Sequence, residues 1–456
     1  MIHKYRLNGF NIVLDVHTGA VHLVDDTVFE LLDFLSAPLE RDMPPEATNA
    51  LKGQYSYEEI KEAYEEIYTL YQDGLLFSRD DYHRFADMMV SAPIKSMCLH
   101  VAHDCNLRCK YCFASTGDFG HGRKLLDEAT GKKAIDFLLE NSGTRHNLEL
   151  DFFGGEPLMN IDVIKAIVKY ARSREEKYGK KFRFTVTTNG ILLDEETIDF
   201  LNREMSNIVL SIDGRPEVND RMRPTVNGKG SYELILPKFK KLVEKRGNEQ
   251  YYVRGTFTKH NLDFAEDVKS MYEAGFDQIS IEPVVADPKE SYALTEEDLP
   301  KVFKEYERLA DYIIETRKKG EYFNFFHFML DLDQGPCAIK RLRGCGCGNE
   351  YVAVTPDGDI YPCHQFVGME EWKMGTVFDG IQKPEMKQNF AKANIYSKTD
   401  CQQCWAKFYC SGGCNANNFQ YAGSILKPVK LSCEMEKKRL ECAIMIKAAL
   451  AEEEAG

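Results

Sequence analysis

Three thiols stand close together in Cys105-Asn-Leu-Arg-Cys109-Lys-Tyr-Cys112, separated by three and then two residues. A structural zinc site or a fully ligated iron–sulfur cluster takes four protein ligands. Three cysteines without a nearby fourth point instead to a cluster with one open iron, where a small molecule can bind and be reduced. The competing readings are a partial zinc knuckle or three core cysteines. A second group of thiols lies far downstream. Cys345 and Cys347 precede Gly358-Asp-Ile-Tyr-Pro-Cys363, followed by Cys401-Gln-Gln-Cys404, Cys410, Cys414 and Cys433. Paired C-x2-C spacing also suits zinc, so the metal stays open at this point. Cys98, Cys337 and Cys442 fit no such spacing. Cys98 and Cys442 are expected in the core, and Cys337 in the core or near the site.

At 456 residues the chain is long enough for two or three domains, and 43% hydrophobic residues supply real cores. Mean hydropathy is negative and no long apolar run occurs, which argues against a membrane span. Met1-Ile-His-Lys-Tyr-Arg leads into alternating residues, not into the apolar stretch of a signal peptide, so a cytoplasmic location is expected. The 14 cysteines gather in tight sets in a chain without an export signal, which favours metal over disulfides. A net charge of -14 opposes nonspecific binding to nucleic acid.

Three parts must position these groups. Residues 1–90 carry a hairpin signal, Phe10–Val16 and Ala20–Val24 around His17-Thr-Gly19. A helix capped by Asp26 follows, and then one opened by the capping box Ser56-Tyr-Glu-Glu59, with Ile60, Tyr64, Ile67 and Tyr71 on one face and Gly74 at its end. A hairpin beside short helices predicts a winged-helix-like unit, either a structural cap or a docking module whose strand edge accepts a peptide. Residues 91–320 alternate strands and helices. The strands are Met97–Val101, Leu148–Phe153, Phe182–Thr187, Asn207–Ile212, Tyr251–Phe257 and Gln278–Val284. Six β/α units predict an α/β fold with a parallel sheet, most simply a partial TIM-like barrel. Residues 321–456 hold most of the remaining cysteines.

Chemistry in such barrels sits at the C-terminal strand ends, and the three-cysteine loop follows the first strand. Strand two ends in Gly154-Gly155-Glu156-Pro157, where paired glycines admit close backbone approach and Glu156 offers an anion to an ammonium. Strand three ends in Thr187-Thr188-Asn189-Gly190 and strand four in Ser211-Ile212-Asp213-Gly214. Each of these polar residues could equally cap its own loop, and the glycine pair could be a plain turn. Arg223 and Arg254 are candidate carboxylate partners.

The C-x3-C-x-aromatic-x-C pattern, with Tyr111 in the aromatic slot and a GGEP segment after the next strand, resembles the radical S-adenosylmethionine (SAM) enzymes. The resemblance implies that Cys105, Cys109 and Cys112 hold a SAM-binding [4Fe-4S] cluster. Gly154, Gly155 and Glu156 would then meet the methionyl amine, and Asn189, Ser211 and Asp213 the ribose and backbone polar groups. The downstream order (a cysteine, G-x4-C, C-x2-C-x5-C-x3-C, a last cysteine) closely resembles the SPASM extension of these enzymes, which carries two auxiliary [4Fe-4S] clusters. It implies that Cys401, Cys404, Cys410 and Cys433 hold one, while Cys414 joins Cys363 in the other. Cys345 is the first choice to complete that second set. Cys347 could join it; if only one of the two binds, one iron is open and can take a substrate thiolate.

The domain order resembles maturases that install thioether bridges in ribosomal peptides, particularly the SCIFF ("six cysteines in forty-five") maturases. The first part resembles their recognition element for the leader of a cysteine-rich precursor peptide. The implied reaction cleaves SAM to methionine and a 5′-deoxyadenosyl radical, which takes a hydrogen from a peptide carbon. A cysteine sulfur of the same peptide then bonds to that carbon, and the surplus electron leaves through an auxiliary cluster. An electron donor such as flavodoxin or ferredoxin is implied. Alternatives are a formylglycine-forming sulfatase maturase, a carbon–carbon crosslinking maturase, or a non-catalytic iron–sulfur carrier.

Overall fold

The computed structural model describes residues 1–88, 91–120, 122–332 and 338–455. Cys337 lies outside the described residues. The chain opens with β1 (Ile2–Leu7), antiparallel to β2 (Phe10–Asp15), which pairs with β3 (Val21–Leu23). The hairpin read from the sequence is β2–β3; β1 is an addition to it. The helix Asp26–Leu31 is capped one residue earlier than the sequence suggests. Asp25 accepts from the Val28 amide at 2.8 Å, so Asp26 is the first helical residue. The capping box forms as read, with Glu59 N donating to Ser56 Oγ and Ser56 N to Glu59 Oε2.

Side-chain alternation divides β2 between two cores. Val13 packs with the local helices, against Val28, Phe29, Ile60 and Tyr64, whereas Ile12 and Leu14 join the main core of the chain. β1 leans on the C-terminal helix Lys430–Ala455, where the Tyr5 hydroxyl donates to the Glu441 carbonyl at 3.0 Å. His3 stacks on Trp405 with ring centroids 3.8 Å apart. The first part is thus tied to the cysteine-rich part, though far from it in sequence.

The main sheet contains every strand expected between residues 97 and 284. They are β4 (Ser96–His103), with the short β5 (Lys124–Leu125) on its end, then β6 (Asn147–Gly154), β7 (Lys181–Thr188), β8 (Met205–Ser211), β9 (Tyr251–Phe257) and β10 (Gln278–Pro283). A two-residue β11 (Asn324–Phe325) adds to the far edge. From β4 to β11 the order is β4-β6-β7-β8-β9-β10-β11, all parallel. Leu148, Leu150 and Phe152 of β6 and Phe182, Phe184 and Val186 of β7 are fully buried on alternate positions. Each such side chain removed from water contributes roughly 1.5–3 kcal/mol. Intervening helices such as Glu128–Asn141 and Ile161–Tyr178 cover that face.

The C-terminal part continues this sheet. β12 (Tyr351–Val354) lies parallel to β4, with Tyr351 opposite Ser96 and Val354 opposite Leu99. β13 (Asp359–Tyr361), β14 (Gly375–Thr376) and β15 (Gly380–Ile381) follow antiparallel. The free edge of β4 is therefore capped from the C-terminal part. Helix Lys430–Ala455 packs along Leu299–Lys318 and buries Leu440, Cys442, Ile444 and Met445. Among the described residues no helix is long and apolar enough to cross a membrane.

Candidate functional site

The loop after β4 and the ends of β6, β7 and β8 enclose a cavity of about 150 Å³. Cys105, Cys109, Cys112, Tyr111, Gly154, Gly155, Glu156, Asn189, Ser211 and Arg223 line it, as do Phe113 and Phe153. Ten of the residues read from the sequence thus meet in one place. The glycine pair explains how the walls come so close. A Cβ at Gly154 would strike the Ala102 carbonyl, and one at Gly155 the Asp104 carbonyl. Gly155 N and Glu156 N donate to those same two carbonyls at 2.8 Å. This zips the Gly-Gly-Glu loop to the start of the cysteine loop.

Glu156 is fully buried, and its carboxylate accepts from Thr188 Oγ1 at 2.7 Å, Asn189 N at 2.8 Å and Leu158 N at 3.0 Å. Burial raises its pKa against the pull of these bonds. Asn189 reaches back across the site and donates to Asn106 Oδ1 at 2.7 Å. Beneath the cavity the Tyr111 hydroxyl donates to Asp213 at 2.7 Å and accepts from Arg223 at 3.0 Å. Asp213, further held by Thr256 N, is buried and pushed up to about 6 by that burial. It therefore reaches the cavity only through Tyr111. Arg254 is half-exposed, pairs with Glu282 and stands off the cavity wall.

Arg223 Nε and Asn106 Nδ2 are buried without hydrogen-bond partners, donors that a polar ligand would satisfy. Burial pushes the Cys105 thiol up to about 12 and Cys109 to about 11, so both stay protonated until a metal draws the proton out. The three thiols and the polar wall fit a cluster with a SAM beside it.

Two further thiol sets form in the C-terminal part. Cys401, Cys404, Cys410 and Cys433 line a second cavity of about 570 Å³. Burial raises Cys401 and Cys433 to about 11 and Cys410 to about 12. Cys345, Cys347, Cys363 and Cys414 are electrostatic neighbours of one another. Cys345 and Cys414 are exposed, and the surrounding protein still lifts Cys414 to about 11. Among the described residues no group of three or more His, Cys, Asp or Glu side chains closes around a single ion. Cysteine-only sets, one of them spread about a large cavity, fit iron–sulfur clusters. Cys98 and Cys442 are buried core residues, Cys98 beside Tyr351.

Sequence reasoning missed a polar group on the barrel's inner side. Arg439 donates to His327 Nδ1 at 3.0 Å, which leaves the ring proton on Nε2 facing Ser280 Oγ, also at 3.0 Å. Burial and Arg439 push His327 down to about 3. No local spacing signals this group, because its members come from β10, the short 3-10 helix Phe326–Phe328 and the last helix. It also missed Phe113 and Phe153. Both pack on His364, the neighbour of Cys363, with ring centroids 5.6 and 5.1 Å apart.

The family model "Radical SAM superfamily" matches residues 99–273, and the model for the SPASM "Iron-sulfur cluster-binding domain" matches residues 345–405. The chain is 24% identical to a cysteine-type anaerobic sulfatase-maturating enzyme of Clostridium novyi, over 69% of this chain and 86% of that enzyme. It is 22% identical to the radical SAM cyclopropyl synthase TigE of Paramaledivibacter caminithermalis, over 94% of this chain and 91% of that protein. Among solved structures, anSMEcpe with bound AdoMet and Kp18Cys peptide superposes with a TM-score of 0.65 at 21% identity. That match covers 79% of this chain and 100% of that one.

Proposed function

The chain belongs to the radical SAM superfamily and carries a SPASM iron–sulfur cluster-binding domain, and from that premise we propose a peptide maturase that forms thioether bridges. Its substrate in this reading is a ribosomally made, cysteine-rich precursor, in which a cysteine sulfur is joined to a peptide carbon. The observation that carries it is the proximity of two sites. Phe113 and Phe153 line the first cavity and also pack on His364, next to Cys363. One aromatic layer therefore separates the SAM cavity from a second thiol set, so sulfur chemistry and hydrogen abstraction can share one substrate.

When bound, the first cluster and SAM supply a 5′-deoxyadenosyl radical that abstracts hydrogen. Cys105, Cys109 and Cys112 would hold that cluster. Gly154, Gly155, Glu156, Asn189, Ser211 and Arg223 would hold SAM, and Asp213 would act through Tyr111. Cys401, Cys404, Cys410 and Cys433 would hold one auxiliary cluster, and Cys345, Cys363 and Cys414, with or without Cys347, the other. Arg254 stands on the peptide side of the barrel in this reading. Residues 1–90 would dock the leader along the outer edge of β3, the SPASM part would occupy 321–456, and a flavodoxin- or ferredoxin-like donor would supply electrons in the cytoplasm.

The test is mass spectrometry of precursor peptide treated anaerobically with the reconstituted enzyme, SAM and reductant. The expected product loses two hydrogens per bridge, and its bridged cysteines resist alkylation. An aldehyde in place of a cysteine or serine side chain would instead establish a formylglycine-forming activity, the reading favoured by the match to the Clostridium novyi enzyme. Cys347→Ala separates the two ligand sets. An intact auxiliary cluster with normal thioether yield fits a position left for the substrate thiol, and loss of that cluster fits four protein ligands.

A further inference from the structure

Lys398 is 1% exposed, and its ammonium donates to the Gly412 carbonyl at 2.7 Å and to Asn415 Oδ1 at 3.0 Å. A lysine this buried is almost always paired with a carboxylate, because an isolated charge is costly in a low-dielectric interior. Lys407 in the same part obeys the rule: 3% exposed, it meets Asp80 at 2.8 Å. Among the described residues no carboxylate forms an ion pair with Lys398. The titratable groups that act on it are thiols of both C-terminal sets, Cys401 and Cys410 from one and Cys414 and Cys345 from the other.

The backbone is shaped around this side chain. Gly412 lies in Cys410-Ser-Gly-Gly-Cys414, the segment that passes from one thiol set to the other. Its φ is +81°, and a Cβ there would come within 2.9 Å of Lys398 Nζ and 2.8 Å of Cδ. The connection between the two sets is therefore moulded over a buried cation that no carboxylate among the described residues pairs with.

We propose that the Lys398 ammonium is a counter-charge shared by both auxiliary clusters, a positioning residue that stabilises their reduced states. This rests on reading the two thiol sets as iron–sulfur clusters. One-electron reduction adds one negative charge to a cluster, and a fixed cation nearby favours that added charge most where water is excluded. Local charge and burial are among the protein's levers on cluster potential. Because Lys398 borders both sets, its charge moves both potentials together and leaves the first site's potential alone. Burial is the larger effect and lowers the lysine's pKa, with the neighbouring thiols of both sets opposing it only in part.

The experiment is a redox titration followed by electron paramagnetic resonance on anaerobically reconstituted full-length protein. Wild type should show three cluster signals; the absence of auxiliary signals in wild type would reject the cluster reading itself, not the role of Lys398. In Lys398→Met and Lys398→Gln, both auxiliary potentials should fall by at least a tenfold change in reduction equilibrium, about 59 mV for one electron. The first cluster should stay in place, and Lys398→Arg should restore wild-type values. Loaded Met and Gln variants with unchanged potentials would overturn the proposal and leave Lys398 a loop clamp. If the neutral variants lose auxiliary iron while Lys398→Arg keeps it at wild-type potential, the charge is needed to hold the clusters, which supports it. Loss of auxiliary iron from all three variants would assign Lys398 to packing alone.

Discussion

Tyr111 shows how one hydroxyl organises the first site. It donates to Asp213 and accepts from Arg223, two buried charges of opposite sign. Replacing it with Phe leaves both facing an apolar ring edge. Unsatisfied buried groups cost about 1–3 kcal/mol, so Tyr111→Phe should lower the unfolding free energy read from a urea titration by that much and loosen SAM binding. Asp80 governs a different contact. Burial pushes its carboxyl up, but the bonds from Lys407 at 2.8 Å and Tyr396 at 2.6 Å outweigh this and hold it below the usual range. A carboxylate depressed in the folded state contributes stability above its unfolded pKa of about 3.9 and loses it as pH falls through the lower folded value. Wild type should therefore weaken on acidification below about pH 4. Asp80→Asn, already weaker at neutral pH, should show a flatter response in urea unfolding followed against pH.

At the scale of elements, the first sheet has one anchored and one open side. β1 is fixed to the last helix through Tyr5 and His3, while β3 has no strand on its outer edge among the described residues. The ladder pairs Asp15 N with the Ala20 carbonyl and Val24 N with the Asn11 carbonyl. By alternation, the amides of Val21 and Leu23 point outward. Leu23→Pro removes an outward donor without breaking the β2–β3 ladder. If the leader adds as a strand there, this variant should bind full precursor at least about tenfold more weakly, or ~1.4 kcal/mol, while cleaving SAM normally. Unchanged affinity in a fluorescence anisotropy titration would return this part to a structural cap. Deleting residues 1–90 is a poorer test, because Ile12 and Leu14 belong to the main core.

At the scale of the whole molecule, the three parts read from the sequence fold into one continuous body. β12 extends the barrel sheet past β4, and the last helix lies against both Leu299–Lys318 and β1. That helix brings Cys433 to the large cavity and Arg439 to His327 while its apolar residues fill the core. Ile444 is fully buried in this packing. Ile444→Ala should cost about 2–5 kcal/mol, read as a fall in thermal midpoint of the whole protein. If the proposed auxiliary clusters are present, their signals should broaden before the first cluster's does, since Cys433 lies in the first turn of this helix.

The sequence by itself determined what is local. The C-x3-C-x2-C loop, the glycine pair, the capping box and the barrel strands were all legible because each depends on residues a few positions apart and on a period of two. Ten of the named SAM-site residues converge for the same reason: barrel topology sends successive strand ends to one rim. Only the tertiary structure decided that Asp213 bonds to Tyr111 instead of lining the cavity and that Arg254 turns to Glu282. It also decided that β12 joins β4, that Phe113 and Phe153 meet His364, and that Lys398 binds the segment linking two thiol sets. These partners come from segments tens to hundreds of residues apart. No spacing encodes such meetings; the packing of whole elements around a shared core does.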